Sequence, residues 1–185
     1  MLWLCIHPHR LALDALANTT ALGDGGIAVT HRHGNRRWVV ASRESEGQKP
    51  IFPGVDAAAL LAARPDAQLV DRDHSAEQEA LQQLAWLAHR WGQPVSLAHE
   101  SPTSEHPLLH AAVWVEVGRS LKLFGGIDTL LADVRTTLAS ATEGLPLDCR
   151  LGVAPTPEAA LLAARLGAPE PLMDEATMLG WLHKV

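Results

Sequence analysis

Leu109 to Gly126, LHAAVWVEVGRSLKLFGG, is the stretch from which the fold is read. Val113-Trp114-Val115-Glu116-Val117 is a run of β-branched and aromatic residues, the composition of a strand. Gly118 ends the run. From Ile127 onward Leu130, Leu131, Val134 and Leu138 recur at helical spacing, predicting a helix to Ala141. A strand that stops at a glycine and feeds a helix is a common seat of chemistry, because rigid elements then position a loop.

Working outward, Met1 to Ile6 is apolar on both faces and predicts a central, buried strand. A short helix follows over Arg10 to Ala17, then a turn at Gly23 to Gly26. Ile27 to Thr30 and Arg37 to Ala41 predict a hairpin around His33-Gly34-Asn35. The polar segment from Ser42 to Gly54 reads as a loop. Asp56 is placed to cap a helix reaching Ala63, and Ala67 to Val70 is a short strand. Ser75 is the expected cap of a longer helix that Gly92 and Pro94 stop near Trp91. Val95 to Ala98 and Leu147 to Ala154 are further strands, and Glu100 to Pro107 is a polar loop. Thr156 and Pro157 open a helix to Leu166, and Leu172 to Leu182 is a last helix. With 23–70 set aside as an insert, the order is β-α-β-β-α-β, an α+β ferredoxin-like sheet.

The chain has 185 residues, 47% hydrophobic and 19% charged, which suits a globular protein with a core. No stretch reaches the ~18 consecutive apolar residues of a membrane helix. No basic region precedes the short apolar start, so no signal peptide is expected. Cys5 and Cys149 lie in apolar runs and read as free thiols of a reducing, cytoplasmic setting. The net charge of −6 argues against tight DNA binding by this chain alone, although Arg32, Arg36, Arg37 and Arg43 form a local basic cluster.

Val-Glu-Val-Gly-Arg-Ser-Leu-Lys-Leu-Phe-Gly-Gly resembles the Y-family (translesion) DNA polymerases. They carry an Asp-Glu pair on a strand, then an acidic strand end, then a Gly-Ser-x-x-Leu-Phe-Gly signal. Trp114-Val115-Glu116-Val117 matches the strand end, and Ser120, Leu123, Phe124 and Gly125 match the signal. The opening Leu2-Trp3-Leu4, His7 and Leu11, the Pro53-Gly54 pair, Arg72-Asp73 and Ala154-Pro155-Thr156-Pro157 are similar to the ImuB branch, polymerase-like proteins of bacterial mutagenesis cassettes. The resemblance implies a palm over 1–22 and 71–168, a fingers insert over 23–70, and the start of a thumb over 169–185. It places the DNA-gripping domain and the sliding-clamp motif outside this chain.

The resemblance also says what to look for. Two-metal nucleotidyl transfer needs carboxylates to hold hard divalent ions. The positions that match the family's metal ligands are His7, Ala111 and Ala112, with His9 beside them. The phosphate-holding fingers positions fall on Glu44 and Gly47, the later Asn-Lys on Thr156-Pro157, and the sugar-gating aromatic pair on Leu11-Ala12. Every functional position that aligns has changed. The expectation is therefore a catalytically inactive scaffold in damage-induced mutagenesis, not an enzyme, with no cofactor, no metal and weak DNA binding at most. The alternative is an active, divergent nucleotidyl transferase that uses other acids, such as Glu100, Glu105 and Glu116. A nucleic-acid-binding module without an enzymatic role is a weaker third class.

His7-Pro8-His9 and His31-Arg32-His33 are His-x-His pairs, a metal-ligand spacing on a strand, but no cysteine or carboxylate stands at a matching interval. The second pair is expected at a solvated hairpin tip. Glu116 reads as a structural acid, and Ser120 as the cap of the turn before Leu123. Of the six tryptophans most read as core, leaving Trp38 and Trp91 for the surface. The implied partners are a RecA-like ImuA and a DnaE-type error-prone polymerase. Arg36, Trp38, Arg43 and Phe52 of the insert are the expected contact residues, being aromatic and arginine types enriched at interfaces.

Overall fold

The computed structural model describes residues 1–19, 26–99, 111–141 and 147–185. In chain order its elements are β1 (Trp3–Pro8), α1 (Leu11–Thr19), β2 (Ile27–His33), β3 (Arg36–Arg43), α2 (Ala57–Ala63), β4 (Gln68–Asp71), α3 (His74–Ala88), β5 (Val95–Ala98), β6 (Ala112–Glu116), α4 (Leu121–Phe124), α5 (Ile127–Ala141), β7 (Cys149–Ala154), α6 (Pro157–Leu166) and α7 (Glu175–Leu182). Strands β5-β6-β1-β7 form one antiparallel sheet in that order. Joined through α3 and α5, they make the predicted α+β ferredoxin-like core. The other sheet, β3-β2-β4, pairs β2 with β3 antiparallel and with β4 in parallel.

The alternation of β1 decides which side each helix covers. Leu2, Leu4 and Ile6 join Val113, Val115 and Val117 under Leu81 and Leu84 of α3 and Leu130 and Val134 of α5. Cys5 lies among Ala112, Ala154 and the alanines 159, 160, 163 and 164 of α6. That second layer is thin because α6 lies against the strand backbone. A Cβ at Gly152 would sit 2.2 Å from the Ala160 carbonyl and 2.4 Å from the Ala164 nitrogen. The first helix serves both sheets. Leu11 faces the main core, whereas Ala12, Leu13 and Leu16 pack on Ile27, Val29, Val40 and Ala41.

Capping explains most boundaries. Asp56 accepts from the Ala58 and Ala59 nitrogens, and Thr156 accepts from the Ala159 nitrogen, as predicted. The long helix differs. Asp73, not Ser75, caps α3, accepting from the Ser75 and Ala76 nitrogens at 3.0 Å each. Asp73 holds the extended backbone of a cap, and its carboxylate carries the negative charge favoured at a helix start. The helix ends at Ala88 instead of reaching Trp91. Strand β1 extends to Pro8 because pairing with β7 continues to Cys149. A short turn, α4, precedes α5 and closes on Gly125, whose φ is 78°. The predicted turn at Gly23 lies outside the described residues apart from Gly26, and the loop from Glu100 to Pro107 lies wholly outside them.

The two sheets are fastened by a buried ion pair. Arg72 follows β4, and its nitrogen donates to the Thr30 carbonyl. Its guanidinium donates from Nε to Glu77 Oε1 at 2.6 Å and from Nη2 to Oε2 at 2.7 Å. Both side chains are shut off from solvent. Burial alone would push the Glu77 pKa up. Hydrogen bonds from His99 and Arg72 outweigh that and hold it below the usual glutamate value. Its contribution is therefore present above the unfolded-state pKa and is lost as pH falls through the folded one. His7, His9 and His74 are lowered, chiefly by burial. Protonating them opposes folding, so their contribution is also lost as pH drops below the ordinary histidine value of about 6.5.

Two measurements check this packing. Gly152→Ala should lower the thermal midpoint by roughly 5–10 °C, as overpacking against helix backbone predicts, while Gly180→Ala, where a Cβ meets nothing within 4 Å, should not lower it. In urea titrations, stability should decline from about pH 6.5 downward, and Glu77→Gln at neutral pH should cost about 3–5 kcal/mol by removing the carboxylate charge that the buried Arg72 guanidinium faces.

Candidate functional site

The end of β1 and the start of β6 bring together the positions that the resemblance singles out. His7 Nδ1 lies 2.8 Å from the Ala111 carbonyl oxygen, so Nδ1 carries the proton and donates. His7, Ala111 and Ala112 are all buried. Burial lowers the His7 pKa and favours the neutral imidazole. The three side chains thus offer one fixed imidazole and two methyl groups. Ala111 belongs to the layer under α3 and α5, and Ala112 to the layer under α6. His9 stands beside His7, ring centroids 6.5 Å apart, with Nε2 at 3.4 Å from Asp148 Oδ2 and Nδ1 buried without a partner.

The positions that the resemblance matches to phosphate and sugar contacts have structural tasks here. Glu44 Oε1 accepts from the Ile51 nitrogen and the Ser42 hydroxyl, both at 2.7 Å. These bonds overcome burial and hold its pKa below the usual range. Gly47 takes a left-handed turn with φ of 79°. Thr156 and Pro157 open α6, and Leu11 and Ala12 are buried at the start of α1. Glu116 is buried, and its Oε1 accepts from the Leu2 and Gly118 nitrogens, which ties the chain start to the end of β6. Ser120 stands at the cap of α4, but its side chain makes no capping bond there, contrary to expectation.

On the insert, the Arg36 guanidinium lies 5.6 Å from the centroid of the half-buried Trp38 ring, a cation–π arrangement. Phe52 is 69% exposed. Arg43 is half-buried, and Arg37 is bound to Asp71 Oδ1 at 2.6 Å and to Thr30 Oγ1 at 2.7 Å. Two tryptophan expectations are corrected. Trp91 is fully buried, because its indole Nε1 donates to Asp133 Oδ2 at 2.8 Å across 42 residues. Trp86, read as core, is 77% exposed on the outer face of α3.

His31 is also corrected. It is 3% exposed, not solvated at a hairpin tip, because β2 runs on to His33 and carries it against α3. Its ring meets that of His74 edge-on at 5.5 Å, and His74 meets His99 at 5.9 Å. No local spacing signals this grouping, since its members come from separate elements.

No family model matches the chain, and no curated protein matches it. Solved structures do. DinB from Sulfolobus solfataricus aligns at TM-score 0.65 with 14% identity, over 94% of this chain and 48% of that one. A post-insertion binary complex of Dbh DNA polymerase aligns at TM-score 0.71 with 14% identity, over 98% and 51%. A Y-family DNA polymerase chimera built on Dbh aligns at 0.61 with 12% identity, over 84% and 43%. The chain spans about half the length of these structures. The expectation that the chain is not an enzyme does not stand, because the structures it matches are DNA polymerases. At this identity the likeness speaks for fold: the chain is folded like part of a Y-family DNA polymerase.

Proposed function

We propose that this chain works in translesion DNA synthesis as the palm and fingers of a Y-family polymerase-like protein of the ImuB type. In this reading it is a cytoplasmic accessory factor whose fingers insert docks partner proteins of a mutagenesis cassette. The observation that carries it is the corner at His7, Ala111 and Ala112. The polymerase fold is kept, while that corner is packed with one imidazole and two alanines. The docking surface is Arg36 and Trp38 with Arg43 and Phe52. Phe52 is a large apolar side chain held in water, and Arg36 over Trp38 is the pairing that anchors interfaces. The partners are a RecA-like ImuA and a DnaE-type polymerase. DNA binding is expected to be weak and salt-sensitive at net charge −6.

A second reading, nucleotidyl transfer by the chain itself, has the polymerase fold in its favour. Its carboxylates would come from positions other than 7, 111 and 112. Glu100 and Glu105 lie outside the described residues, and Glu116 is engaged with the Leu2 and Gly118 nitrogens.

Capture on immobilised chain separates the two readings. Phe52→Ala and Trp38→Ala should each weaken binding of the RecA-like or DnaE-type partner about tenfold or more, as loss of an anchoring aromatic does. Phe52→Ala should leave thermal unfolding unchanged. Absence of any capture by the wild-type chain sinks the docking reading. Primer extension in manganese that is lost on Glu100→Gln with Glu105→Gln establishes the second.

A further inference from the structure

We propose that His74, Glu77 and His99 form a binding site for one divalent transition cation of the zinc class. One ligating atom from each lies within 4.8 Å of the others, and among the described residues no other group of three or more potential ligands does so. Two imidazoles and a carboxylate are the donor set that selects such a cation over magnesium or calcium, which take oxygen ligands.

The grouping is built from two elements. His74 is the first residue of α3, and Glu77 stands three positions on, one turn along the same face. His99 follows β5, and its Nε2 lies 3.0 Å from Glu77 Oε2. A cation would take the place of the proton these two atoms share. The surroundings act as an outer layer. Arg72 holds Glu77 ionised and fixes the plane of its carboxylate. His31, from the other sheet, packs edge-on against His74 at 5.5 Å. Independent of this network, His74 Nδ1 is buried without a partner, a nitrogen whose lone pair or proton nothing nearby satisfies.

Two features oppose the cation: the positive end of the α3 dipole and the charge on Arg72. With three protein ligands and water completing the sphere, affinity in the micromolar range follows. The structural effect is a clasp. The cation would join the start of α3 to the end of β5 directly beside the Arg72–Glu77 pair that fastens the insert.

The test uses the full chain stripped with a chelator. Calorimetry with zinc should give one site per chain in the micromolar range, and magnesium should give none. Cobalt should bind with the visible absorption of low-symmetry coordination, and zinc should displace it. His74→Gln and His99→Gln should each weaken zinc binding at least tenfold, while His7→Gln and His9→Gln should not change it. Saturating zinc should raise the thermal midpoint by roughly 5 °C. Should a variant fail to fold, ring-proton resonances of wild-type histidines serve instead, and zinc should shift those of His74 and His99 first. The proposal is overturned by wild-type zinc binding no stronger than millimolar. It is equally overturned by tight binding that survives both His74→Gln and His99→Gln, or by shifts confined to other histidines.

Discussion

The close seating of α6 on β7 and β1 constrains the molecule more than any other contact. Its backbone comes so near the sheet that Gly152 has no room for a Cβ. Beneath the helix Cys5, Ala112 and Ala154 meet four alanines of α6, with Leu172, Trp3 and Trp114 packed around them. This packing reaches the functional corner. Ala112, one of the positions that the sequence resemblance singles out, is one of the small residues under the helix. A carboxylate introduced there would enter a layer of methyl groups, with a desolvation cost of several kcal/mol unless paired. The neighbouring Ala111 belongs to the opposite, larger core, and its carbonyl is taken by His7. The corner is thus continuous with both layers of packing.

A second constraint holds the insert. Arg72 and Glu77 are enclosed together, and the pair joins the last strand of the small sheet to the long helix of the large one. Helix α1 reinforces the junction from the other side, with Leu11 in one core and Leu13 and Leu16 in the other. The surface left over on the insert is the edge of β3 and the segment after it, where Arg36, Trp38 and Phe52 lie. Charge in that region is largely committed, since Arg37 serves Asp71 and Glu44 serves the Ile51 nitrogen. An aromatic anchor, more than a charge field, is what the insert presents to a partner.

The apolar runs of β1 and β6, the period of α5, and the caps at Asp56 and Thr156 were legible because each is set by residues within a few positions. So was the β-α-β-β-α-β order. What was not legible depended on distant partners. Trp91 precedes a Gly-x-Pro turn and looks exposed, yet its indole is drawn inward by Asp133. His31 looked like a hairpin tip until the strand proved longer and met α3. The grouping of His74, Glu77 and His99 closes across 22 residues and two elements, so no local spacing announces it. Asp73 was within reach: an Asp two residues before the expected cap is the stronger acceptor at a helix start. At the corner, His7 Nδ1 donates to the Ala111 carbonyl across 104 residues, another contact that no local spacing announces.

Hydrogen exchange of the full chain, measured free, with a DnaE-type or RecA-like cassette partner, and with primer-template DNA, tests the central claim most directly. The account predicts slowed exchange over 36–56 on adding a cassette partner, with little change around 7–12 and 111–117 on adding DNA. Protection that appears only around 7–12 and 111–117 with DNA, and nowhere on the insert with either partner, would contradict it.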